Sequence, residues 1–85
     1  MKISTQGIEI NKRFFEAIEL LRKKRKIRGL QTFTREFGIN YWNMNTVRNE
    51  PDKRVLKPEW INFLCSKYGV SAEWVILGKD TTFNK

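Results

Sequence analysis

Apolar residues recur along this chain at intervals of three and four. Ile10, Phe14, Ala17, Ile18 and Leu21 fall on one face of a helix, with charged residues between them. Asn11 is the expected N-cap, and the helix is predicted to run from there to about Lys26. The cations Arg22 to Lys26 suit the negative end of its dipole, and Gly29 ends the segment. Shorter stretches follow. Leu30–Phe37 is predicted as a second helix, with Phe33 and Phe37 on its buried face. Gly38 takes the turn, where a positive φ is needed. Asn40 caps a third helix from Tyr41 to about Arg48, with Met44 and Val47 inward. Asn49-Glu50-Pro51-Asp52 breaks it and opens a polar loop through Arg54. Pro58 suits the first turn of a fourth helix, whose apolar face is Ile61, Leu64 and Cys65, flanked by Trp60 and Phe63. Ser71 caps a last helix, Ala72 to Leu77, with Gly78 after it. No stretch alternates as a strand would, so the expectation is an all-α domain of five helices. Residues 1–10 read as a flexible N-terminal tail, 11–78 as the single domain and 79–85 as a flexible C-terminal tail.

Composition narrows what such a domain could do. At 85 residues the core is small and should use most of the large apolar side chains. Seventeen Lys and Arg against nine Asp and Glu give a net charge of +8, a balance that suits a polyanionic partner. The lone Cys65 sits inside an apolar helical pattern and reads as a small buried hydrophobe. The start of the sequence shows no apolar leader and no run approaches a membrane span, so a cytoplasmic location and no membrane partner are expected. There is no histidine, no cysteine cluster and no glycine-rich phosphate loop. Histidine triads and His- or Cys-based zinc sites are therefore excluded, and neither catalysis, a metal, a cofactor nor a small-molecule substrate is expected.

The second and third helices carry the most specific pattern. Counting Leu30 as first, a helix-turn-helix over residues 30–48 needs a modest residue at the fifth position, where the helices touch, and a turn residue at the ninth. These are Thr34 and Gly38. Its apolar positions are filled by Phe33, Phe37, Ile39, Met44 and Val47. This stretch resembles the helix-turn-helix of Cro and phage-repressor (lambda repressor-like) DNA-binding domains. Further on, Lys67-Tyr68-Gly69-Val70-Ser71-Ala72-Glu73-Trp74-Val75-Ile76-Leu77-Gly78-Lys79 is similar to the Tyr-Gly-Val-Ser…Trp-Leu-Leu-x-Gly ending of the same domains. The order departs slightly at Val75-Ile76-Leu77. The two matches span residues 30–79.

The resemblance implies a five-helix fold that places its third helix in the major groove of double-stranded DNA. Carried over by position, the base-reading residues would be Asn40, Tyr41, Trp42, Asn45 and Thr46. Asn can pair with adenine and Thr can meet a thymine methyl. Tyr41 and Trp42 depart from the small or polar residues usual at these positions: they could pack on thymine methyls or sugars, or fold back on the core. Gln31 and Thr32, at the start of the second helix, and Arg28 just before it would hold phosphates. Arg48, Lys53, Arg54 and Lys57 would lie beside the backbone after the third helix. The rest of the run Arg22–Lys26 reads as a solvated helix end, with phosphate neutralisation beside the second helix as the alternative. Trp74 and Leu77 mark a possible dimer surface, since related domains often dimerise at the last helix; a homodimer built from these residues, or formed on DNA, is expected.

The function so implied is sequence-specific DNA binding by a repressor-like transcriptional regulator. One alternative keeps the same helical packing and uses Tyr41, Trp42 and the last helix to grip a protein. Another is non-specific nucleic-acid binding, including stacking of single-stranded bases on the two aromatics.

Overall fold

The computed structural model describes residues 4–79 and 81–83. It contains five helices: α1 (Thr5–Lys23), α2 (Leu30–Glu36), α3 (Tyr41–Asn49), α4 (Pro58–Tyr68) and α5 (Ala72–Leu77). Among the described residues no named strand forms; a single antiparallel bridge joins Val70 to Phe83. The chain is an all-α domain, as its periodicity predicts. Among the described residues no helix is long and apolar enough to cross a membrane.

The first helix begins more than a turn before Asn11. Ser4 is its N-cap and accepts a hydrogen bond from the Gly7 N–H at 3.1 Å. Asn11 lies inside the helix on the same stripe as Phe14, Ile18 and Leu21, and it is buried. Its Nδ2 donates to the carbonyls of Pro51 at 2.9 Å and Arg54 at 2.8 Å. A polar side chain on a buried face thus serves as a clamp on a distant loop, not as a cap. Low helix propensity at Gly7 conceals the extra turn in the sequence.

The other end of α1 also differs from expectation. The positive φ falls on Arg25 (61°), while Gly29 is extended and precedes α2. Arg25 N–H bonds to Arg22 O and Lys26 N–H to Leu21 O, both at 3.0 Å. This is the Schellman arrangement with an arginine where glycine is usual. The same device closes α2 at Gly38 (φ 66°), with Ile39 N–H bonded to Thr34 O at 2.8 Å.

Phe14, Ala17, Ile18 and Leu21 bring the stripe of α1 into the core, where they join Leu30 and Phe33 of α2 and Met44 and Val47 of α3. Trp60 and Leu64 complete it from α4 and Val75 from α5. On α4 the buried line runs through Trp60 and Leu64, while Ile61, Phe63 and Cys65 are half-buried. Turning the helix this way removes the indole from water, the largest apolar area available on it. Aromatic rings tie the helices together: Phe14 meets Phe33 edge-on at 5.9 Å, and Phe37 stacks on Phe63 of α4 at 4.6 Å.

α5 packs on α1 and α4. Its last carbonyls are capped by Arg13 of α1, whose Nε donates to Val75 O at 2.8 Å and Nη2 to Ile76 O at 3.0 Å. Residues 81–83 lie back against the domain. Ser71 N–H bonds to Thr82 O at 2.8 Å, and the Lys24 ammonium sits 4.0 Å above the Phe83 ring. The remaining residues of the two expected tails, 1–3, 80, 84 and 85, lie outside the described residues.

Candidate nucleic-acid interface

α2 and α3 pack on each other across the Gly38–Asn40 turn. Thr34, at the contact position, is buried, and its hydroxyl is satisfied by donating to Gln31 O at 3.1 Å. Asn40 caps α3 as expected, its Oδ1 accepting from the Asn43 N–H at 3.1 Å. Met44 and Val47 anchor α3 inward. The opposite side of that helix, carrying Trp42, Asn43, Arg48 and Asn49, is exposed.

Two concavities flank this exposed side. One, of about 360 Å³, is lined by Arg28, Gln31, Thr32, Arg35, Tyr41 and Arg48 among others, with no acidic residue in its wall. The other, of about 420 Å³, lies between α3 and the following loop, where Asn43 and Thr46 face Arg54, Val55 and Lys57. The structure therefore brings Arg28, Gln31, Thr32 and Arg48 together, and groups Arg54 and Lys57 with α3. Lys53 is exposed but lines neither concavity. The loop's course is held by the Asn11 clamp on Pro51 and Arg54.

Several of the expected base readers are partly committed to local bonds. Asn45 Oδ1 accepts from the Arg48 guanidinium. The Thr46 hydroxyl donates to Trp42 O at 2.7 Å. Thr32 Oγ1 accepts from the Arg28 N–H at 3.2 Å, which leaves its own hydroxyl proton to donate. Tyr41 is half-buried against the core, and its ring meets that of Trp42 edge-on at 5.3 Å. Trp42 does not fold back: it is 72% exposed.

Two residues that the sequence analysis did not single out, Arg35 and Asn43, also line these concavities. Arg35 lies one turn beyond Gln31 on α2, so the i, i+4 spacing placed it on the same face. Asn43 lies one residue from Trp42, and its side chain makes no hydrogen bond among the described residues.

Three members of the cationic run at the end of α1 are taken up by local structure. Arg22 pairs with Glu19; that hydrogen bond is the main cause holding the Glu19 carboxyl below its ordinary range and the guanidinium above its own. Lys24 covers Phe83 and Arg25 makes the turn. Glu36 faces α4, accepting from the Tyr68 hydroxyl at 3.1 Å and lying 3.7 Å from the Lys67 ammonium. Burial, and then the Glu36 contact, pushes Tyr68 up to about 12. Cys65 is half-buried, and desolvation raises its thiol, which suits an inert packing residue.

Of the two residues expected at a dimer surface, Trp74 is half-buried and packs on the core, whereas Leu77 is 59% exposed. Ile76 beside it is also exposed, and both border a shallow apolar hollow with Thr5, Gln6, Glu9 and Arg13.

No model of a known protein family matches this chain, and neither does any curated protein or solved structure.

Proposed function

We propose that this chain is a sequence-specific double-stranded DNA-binding protein, a repressor-like transcriptional regulator of the Cro and phage-repressor type, with α3 seated in the major groove. One observation carries the reading. The capped, outward-facing side of α3 is bordered on one side by an acid-free concavity holding Arg28, Arg35 and Arg48, and on the other by Arg54 and Lys57. A polyanion with two backbones either side of a groove fits cations so disposed, and the side chains between them would meet base edges.

In this reading Arg28, Gln31, Thr32, Arg35, Arg48, Arg54 and Lys57 hold phosphates. Trp42, Asn43, Asn45 and Thr46 face bases, and Asn40 chiefly fixes the start of α3. The protein acts in the cytoplasm without catalysis or cofactor. Two copies, meeting through Ile76 and Leu77, would span half-sites ~34 Å apart.

The test is selection from a random duplex library at physiological salt, followed by sequencing. Enrichment of one motif, palindromic for a dimer, is the expected result. Retention without enrichment would reduce the protein to a charge-driven binder. Absence of retention would favour a protein-interaction module, a reading that rests on the exposure of Trp42 and Val55.

A further inference from the structure

Which base feature α3 is built to read follows from the side chains it leaves free. Recognition of adenine by an asparagine needs both amide groups, one accepting from N6–H and one donating to N7. Asn40 spends one lone pair of its Oδ1 on the Asn43 N–H and Asn45 spends one on Arg48, which ties the orientation of each amide to its own helix. Thr46 has turned its hydroxyl proton back to Trp42 O, one turn earlier. Of the residues near the start of the helix, Asn43 keeps both amide groups unengaged.

Beside the free amide of Asn43, α3 and its neighbouring loop also present apolar groups. Trp42 is 72% exposed, so its ring contributes little to the core. Thr46 lies one turn further on the same helical face, with its hydroxyl engaged and its methyl left to offer. Val55, 69% exposed, stands on the far side of the concavity that Thr46 lines. In the major groove the base edges carry one apolar group, the C5-methyl of thymine.

We propose that Trp42, supported by the Thr46 methyl, is the specificity-determining residue that reads the C5-methyl group of a pyrimidine, so that the interface selects thymine over uracil and unmodified cytosine. The inference rests on the duplex-binding reading above and names what that site recognises.

The test removes the methyl and nothing else. The duplex pool enriched by selection is copied once with thymidine triphosphate and once with deoxyuridine triphosphate, and both are titrated with the protein. Loss of one buried methyl should weaken binding by about fourfold for each thymine read. Trp42→Ala should bind both pools alike, while Trp42→Phe, which keeps an apolar ring, should retain part of the preference. Because Trp42 is exposed, Trp42→Ala should melt as the parent does.

Equal binding of the two pools by the parent protein would overturn the inference and leave duplex binding standing. So would an undiminished preference in a folded Trp42→Ala variant, which would assign the methyl to another group. Failure to retain any duplex would overturn both this inference and the reading beneath it.

Discussion

At the scale of single residues, two side chains do work that their chemical type does not announce. Asn11 holds two carbonyls of the α3–α4 loop from inside α1. Asn11→Ala removes both of these part-buried hydrogen bonds, each worth roughly 0.5–1.5 kcal/mol. The expected result is a lower urea midpoint with an unchanged slope. Tyr68 is the second. Its phenol is raised above the usual value of 10.0 to about 12, first by burial and then by its contact with Glu36. The folded state therefore holds this proton more tightly than the unfolded chain does. The associated stability is complete below pH 10.0, the unfolded value, and is lost as pH rises through about 12. In a near-ultraviolet alkaline titration, Tyr68→Phe should remove the late-titrating tyrosine.

At the scale of elements, the turns show where strain sits. Arg25 occupies the left-handed region with a Cβ, at a cost of about 1–2 kcal/mol, in a motif that glycine fills freely. Arg25→Gly should raise the thermal midpoint by roughly what ~1 kcal/mol provides, since the entropy of a glycine in the unfolded chain offsets part of the relief. Unaltered melting would mean that the turn is not strained. The same turn shows what was legible beforehand. Helix periodicity, the Asn40 and Ser71 caps and Gly38 all express local rules, and those parts of the fold follow from the sequence. The early start of α1 and the αL conformation at Arg25 do not. Gly7 argues against a helix, and only the packing of Ile27 and Leu30 into the core requires a sharp turn at a residue with no propensity for it. Likewise Trp60 wins the interior of α4 over Ile61 and Cys65 through the area it buries, a comparison that helical spacing alone cannot make.

At the scale of the whole molecule, the charge of +8 is unevenly employed. Arg22, Lys24 and Lys67 are engaged with Glu19, Phe83 and Glu36, while Arg28, Arg35 and Arg48 gather on one polar concavity. If that concavity follows a phosphate backbone, Arg35→Gln should weaken binding to all duplexes alike and lower the logarithmic salt slope by ~0.9. A changed sequence preference in that variant would instead place Arg35 against bases. The helical register was readable from the sequence, and it puts Gln31 and Arg48 on the same concavity; whether Trp42 folds back was not readable, and the structure leaves it exposed. Nor was the site readable where side chains choose between partners. The commitment of Asn45 to Arg48, and of the Thr46 hydroxyl to its own helix, depends on rotamers that no pattern records.

The Arg13 cap on α5 has a consequence for the order in which the chain can fold. A helix the length of α5 does not persist alone in water. Its terminal carbonyls are held by a residue 62 positions earlier in the chain. α5 is thus tied to α1 as well as to α4: its amides should stay protected while that packing holds and exchange once α1 separates from it. Damage near the beginning of the sequence should accordingly be felt first in the last helix.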